Sequence, residues 1–156
     1  MTDALAALIR GIAEKHGLDP LLVEAIATTE SGGDQWAYRY EPGYRWIYEY
    51  KDRRVSADTE LSGQKTSWGL MQIMGAVARE RGFREPFLTR LLLPAESVEY
   101  GCRHLSHLVG RGFLGSDLVA AWNAGTPRKR ADGTYENQQY VDKVSANLEA
   151  MGGELA

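Results

Sequence analysis

Apolar residues recur at helical spacing through most of the 156-residue chain. Leu5, Leu8, Ile9 and Ile12 form a first stripe that ends near Gly17. Asp19-Pro20 reads as an N-cap followed by a first-turn proline. It opens a helix carrying Leu22, Val23, Ile26 and Ala27, which Gly32-Gly33 stops. A third helix is expected from about Ser67 to Gly82, with Leu70, Ile73, Met74 and Val77 along it. Pro94 opens a fourth, with Val98, Cys102, Leu105 and Val109 on one face. Ser116 is expected to cap a short fifth helix through Trp122, and a sixth runs from about Asn137 to Leu148.

One stretch breaks this rhythm. Between Trp36 and Tyr50, seven of fifteen residues are Trp or Tyr: Trp36, Tyr38, Tyr40, Tyr44, Trp46, Tyr48 and Tyr50. The alternation suits extended backbone interrupted at Pro42-Gly43, although period alone does not separate a hairpin from a loop followed by a helix. This aromatic insertion spans about residues 34–66. With no repeat, low-complexity segment or linker, the chain is expected to be mainly α, one domain over 1–156 with an irregular aromatic insertion. So many rings exceed what a small core needs, and some are expected to form an exposed stacking wall.

Charge and cysteine content narrow the function classes. A net charge of -3 gives no global basic field for nucleic acid or acidic lipid, and only Arg128-Lys129-Arg130 concentrates positive charge. The single cysteine, Cys102, excludes an intramolecular disulfide. No apolar run reaches the roughly 20 residues that cross a bilayer. The N-terminus carries no recognisable signal peptide, so synthesis in the cytoplasm and export by another route are expected. His104 and His107 stand one helical turn apart with Cys102 nearby, but no second cluster completes a metal set, so no metal or cofactor is expected.

Glu30 is the residue most suited to acid chemistry. It ends the second helix, with Ala27, Ile26 and Val23 at three, four and seven residues before it on the same face. Loss of water and the negative end of the helix dipole would both raise its pKa. The same position also suits a glutamate that simply reaches solvent. Glu41 is the rival: where acid chemistry needs a second carboxylate, Glu41, Asp34, Glu49, Asp52 or Glu60 could supply it. Glu41 could equally pair with Arg39 or Arg45.

Four blocks occur in order: Glu30-Ser31, Gly69-Leu70-Met71-Gln72-Ile73, Ala121-Trp122-Asn123-Ala124-Gly125 and Tyr140-Val141. Together they resemble the soluble lytic transglycosylase family of the lysozyme superfamily, over roughly residues 10 to 148. The resemblance implies a lysozyme-like fold and cleavage of peptidoglycan glycan strands by a monomer, with neither cofactor nor nucleic acid. It implies that Glu30 acts as acid and then base, and that Ser31 and Gln72 hydrogen-bond around the acid and the sugar. Met71 would line the groove, Asn123 would hold a sugar amide or hydroxyl, and Tyr140 would orient Glu30. Trp122, also placed at the substrate, stands where the family usually has Tyr. The enlarged segment between the first two blocks is similar to that of phage-encoded members. That similarity implies action on the periplasmic cell wall after release through a holin or as a virion component.

Overall fold

The computed structural model describes residues 1–156. Helix α1 (Asp3–Lys15) is capped by the Thr2 side chain, which accepts from the Leu5 N–H. Asp19 caps α2 (Pro20–Ser31) from the backbone N–H groups of Leu21 and Leu22 at 2.9 and 3.4 Å, as its Asp-Pro sequence requires. Helix α5 (Pro94–Gly110) also begins at a proline. Helices α6 (Gly115–Ala124) and α7 (Gln138–Ala150) follow it. These five helices share one core of 20 buried residues, which includes Ile9, Val23, Ile26, Ala27, Cys102, Leu105, Val119, Val144 and Leu148. Each large side chain buried this way contributes roughly 1.5–3 kcal/mol over leaving it exposed.

A second, smaller lobe is built from what lies between α2 and α5. Three short antiparallel strands, β1 (Tyr38–Tyr40), β2 (Thr66–Trp68) and β3 (Ile73–Met74), form a sheet in that order. The register sets Arg39 opposite Ser67 and Ser67 opposite Met74, so these three form one row on one face. On the other face Tyr38 stacks on Trp68 at 5.9 Å. Helices α3 (Ala57–Gln64) and α4 (Gly75–Glu80) and a 3-10 turn (Leu88–Leu92) close a six-residue core of Trp68, Ile73, Ala78, Phe83, Leu88 and Leu91.

The expected third helix is therefore corrected. Residues 66–74 are strand, turn and strand, and helix begins only at Gly75. Gly69 and Gln72 both hold left-handed φ values, 69° and 49°, which α-helix cannot accommodate. Gly69 is further confined because a Cβ there would sit 2.4 Å from the Leu91 carbonyl oxygen. A short buried apolar run has the same composition in strand and helix, so its spacing was ambiguous. Helix α6 starts one residue before Ser116 and no side chain caps it.

The insertion is extended only at β1; from Glu41 to Val55 it has no regular structure, and α3 occupies its end. Side chains replace the missing ladder. Gln64 accepts from the Tyr48 N–H at 2.8 Å and donates to the Tyr48 carbonyl at 2.9 Å. Arg79, fully buried, donates all five of its N–H bonds: to both Glu60 oxygens at 2.7 and 2.9 Å and to the carbonyls of Phe83, Glu85 and Pro86. Its guanidinium also lies 3.7 Å from the centre of the Tyr50 ring. Glu60 is thus a structural anion of the small lobe.

This pairing makes a stability prediction. Arg79→Met leaves the Glu60 carboxylate buried and unpaired, and should cost about 3–5 kcal/mol in urea unfolding. Arg79→Met combined with Glu60→Leu should recover much of that loss. Additive losses in the double variant would show that the carbonyl bonds and ring contact, not the ion pair, hold the lobe.

Candidate active site

The two lobes enclose a cleft of about 570 Å³ lined by Glu30, Arg39, Glu41, Tyr44, Ser67, Gln72, Met74, His104, Trp122 and Asn123, among others. Glu30 enters it from the last turn of α2. Gly32 terminates that helix in the left-handed region (φ 63°), and Ser31 closes the turn by donating to the Ala27 carbonyl and accepting from the Gly33 N–H. Ser31 thus serves the backbone rather than the acid or the cleft.

Two neutral donors converge on one oxygen of Glu30. The Tyr140 hydroxyl, from α7, donates to Oε1 at 2.6 Å, and the Trp122 indole N–H, from α6, donates to the same atom at 2.9 Å. Burial raises the pKa of Glu30; the bonds from Tyr140 and then Trp122 pull it back down, and the net direction is up. With Oε1 committed as acceptor, Oε2 is the oxygen left to serve a ligand and the one to hold a proton when the group is protonated. The reverse effect pushes the Tyr140 hydroxyl far up, through burial and then the adjacent Glu30 charge, so Tyr140 remains a donor.

Gln72 also reaches the cleft, yet most of its hydrogen-bonding capacity is used internally. Its Nε2 donates to the carbonyls of Ala37 and Gly69, both at 2.9 Å, and its Oε1 accepts from Ser67 at 3.0 Å. These bonds hold β1 and β2 against the turn and offset a left-handed φ, which costs about 1–3 kcal/mol for a residue other than glycine. Met71 does not line the groove. It is fully buried beneath Gly101, whose added Cβ would meet Met71 Cγ at 2.9 Å, and Met74 supplies the cleft methionine instead. The Gly-Leu-Met-Gln block carries no mark that separates its core methionine from the later one.

Glu41 lies in the cleft wall, paired with Arg39 at 2.8 Å. The other acids are occupied elsewhere: Asp34 accepts from the Trp36 N–H, Asp52 pairs with Arg54, Glu60 with Arg79, and Glu49 is exposed. Of the seven insertion aromatics only Tyr44 lines the cleft. Trp36, Tyr38, Tyr40 and Trp46 are exposed outside it, while Tyr48 and Tyr50 pack against arginines. Tyr44 is thus the ring that the insertion contributes to the cleft.

His104 is a cleft residue that its spacing with His107 disguised as a metal motif. Its ring packs 5.6 Å from Trp122, and burial first, then neighbouring Arg81, His107 and Arg111, pushes its pKa down to about 4. It is thus neutral near pH 7. Cys102 is buried in the core, and no group of three or more His, Cys, Asp or Glu side chains is placed to hold a metal ion. Arg128, Lys129 and Arg130 are exposed in a loop beyond α6 and do not line the cleft. No helix is long and apolar enough to cross a membrane.

A family model described as the transglycosylase SLT domain matches residues 7–144. No curated protein matches the chain.

The convergence on Oε1 makes a prediction about titration. Deleting either donor removes an influence that lowers the Glu30 pKa, so Tyr140→Phe and Trp122→Phe should each raise it further in a 13C carboxyl titration, the Tyr140 variant more. A downward shift in either would show that the donors do not act on the carboxylate. Linkage gives a second readout. The folded acid holds its proton to higher pH than the unfolded one. Its stabilising contribution is full below the ordinary carboxylate range and is lost as pH rises through the raised value. Glu30→Gln should therefore gain stability relative to the parent chain between those limits, as followed by urea unfolding across pH.

Proposed function

The chain belongs to the SLT transglycosylase family, and from that membership and the state of its cleft acid we propose that it cleaves the β-1,4 bond after N-acetylmuramic acid and forms 1,6-anhydromuramic acid. The domain is that of a peptidoglycan lytic transglycosylase. One observation supports the finer reading. Of the two carboxyl groups lining the cleft, Glu41 is ion-paired, whereas Glu30 has neutral donors only and a raised pKa.

A carboxylic acid in that state can donate its Oε2 proton to the glycosidic oxygen as the bond to the anomeric carbon breaks. The substrate's own acetamido oxygen then stabilises the cation, which a second carboxylate would otherwise do. The Glu30 carboxylate is left with two donors on Oε1, and such bonds strengthen when their acceptor is ionised. It next takes the proton of the muramyl 6-hydroxyl, whose oxygen bonds to the anomeric carbon. One proton leaves Glu30 and one returns, so no water is consumed. The 6-hydroxyl is tethered to the reacting ring, and its effective concentration favours it over solvent. Desolvation favours the protonated form, and the donors favour the carboxylate that acts as the base.

We assign the chain a phage-type role in wall degradation on the likeness of its enlarged insertion to phage-encoded members. Glu41 sits in the same cleft, so water activated by a second carboxylate is the competing chemistry.

Two results test the proposal. Glu30→Gln should lower clearing of purified cell walls by about 100-fold or more while the fold persists. Mass spectrometry of the parent enzyme's digest should show muramyl ends lighter by one water than hydrolytic products. Activity of Glu30→Gln within a few-fold of the parent, or mostly reducing-end products, would overturn the acid assignment or the route, respectively.

A further inference from the structure

Asn123 presents an amide to the cleft, and an amide can offer either a donor or an acceptor. The structure determines which. The Ala120 carbonyl can only accept, and it lies 3.1 Å from Asn137, so the Asn137 atom facing it is Nδ2. The same Nδ2 lies 2.9 Å from Asn123, so the Asn123 atom facing it is Oδ1. The oxygen of Asn123 is thereby engaged, and its Nδ2 is the end left for a ligand.

Asn137 gives up ordinary bonding to do this. It is the N-cap residue of α7, where an asparagine oxygen normally accepts from the first-turn N–H groups, yet it makes no side-chain cap bond. Its Oδ1 is buried and has no partner. Rotating the amide to rescue that oxygen would set it against the Ala120 carbonyl and bury an unpartnered NH2 instead. A residue that leaves both its capping bond and a buried acceptor unused is held by its other bonds, here those of one Nδ2 to the Ala120 carbonyl and to Asn123, of which only the second reaches the cleft.

We propose that Asn137 is a positioning residue that sets the polarity of Asn123, so that the cleft donates to a carbonyl of the glycan, namely the acetamido oxygen of an N-acetylated sugar, and discriminates against a de-N-acetylated one. The inference rests on the glycan-cleaving reading above. A glucosamine ammonium offers only donors and meets the Asn123 Nδ2–H with no acceptor between them. Losing Asn137 leaves Asn123 free to turn over and present its oxygen, which accepts from that ammonium.

Binding of β-1,4-linked N-acetylglucosamine oligomers and their fully de-N-acetylated counterparts, measured by calorimetry, tests this. The parent chain should bind the acetylated oligomer at least about tenfold more tightly, and Asn137→Asp, which accepts from rather than donates to Asn123, should narrow the ratio to about twofold. Asn137→Ala removes the donor without adding charge and should narrow it likewise; it stands in if the charged variant melts early. In an Asn123→Ala background, Asn137→Ala should leave the ratio unchanged, because the residue acts only through Asn123. A merely structural role would lower both affinities and leave their ratio intact. Retained selectivity in the folded Asn137 variants, or an additive effect in the double variant, overturns the inference while the glycan reading stands. Failure of the parent chain to bind either oligomer, together with failure to release anhydro products from cell walls, removes both.

Discussion

The candidate site is organised around one oxygen atom. Oε1 of Glu30 receives Trp122 from 92 residues away and Tyr140 from 110 residues away, so the acid exists as such only once α2, α6 and α7 have packed. The packing is ordinary core burial: Val23, Ile26 and Ala27 of α2 meet Val141, Val144 and Leu148 of α7 in one apolar cluster. That cluster removes water from Glu30 and thereby raises its pKa, while the two donors limit the rise. A carboxyl group this balanced can give up a proton and take one back. Neither effect alone would serve both halves of the proposed reaction.

The small lobe supplies the opposite wall and is built on different physics. Its apolar core is small, and its backbone from Glu41 to Val55 lacks a ladder. Polar side chains do the holding: Arg79 on Glu60 and three carbonyls, Gln64 on Tyr48, Gln72 on Ala37 and Gly69. Three departures from local rules fall on cleft residues or on a residue bonded to one. Gln72 is left-handed, Asn137 forgoes its cap, and His104 leaves a buried Nδ1 without a partner. Such violations are expected where a site, rather than the fold, sets the requirement.

The large lobe was legible in the sequence because α2 and α5 carry their own punctuation and the other helices their apolar stripes. Asp19-Pro20, Gly32 and Pro94 bound their elements where the chemistry of caps and prolines places them. The small lobe was less legible. Nothing local in Ser67–Gly82 reveals that Gly69 is pressed against a carbonyl from the 3-10 turn, which is what forces strand and turn over helix. At the site, the helix end and apolar face of Glu30 suited an acid and a solvent-reaching glutamate alike, and the four ordered blocks singled it out. The destinations of Met71 and Met74, of Ser31 and of the insertion aromatics are set by lobe packing that neither spacing nor family blocks encode. Asn137 was missed, and His104 was weighed only as a metal ligand, because their environments, one against Asn123 and one against Trp122, are purely tertiary.

The central claim is that one carboxyl group, held through Oε1, serves both steps without help from a second. The most direct measurement is a crystal structure of Glu30→Gln with an uncut muramyl oligosaccharide spanning the cleft. The account predicts that the glycosidic oxygen lies within hydrogen-bond reach of the side-chain atom that replaces Oε2. The muramyl 6-hydroxyl should approach from the same side, and no carboxylate should face the anomeric carbon from the other. A Glu41 carboxylate released from Arg39 and facing that carbon, roughly 6.5–9.5 Å from position 30 with a water between, would contradict it.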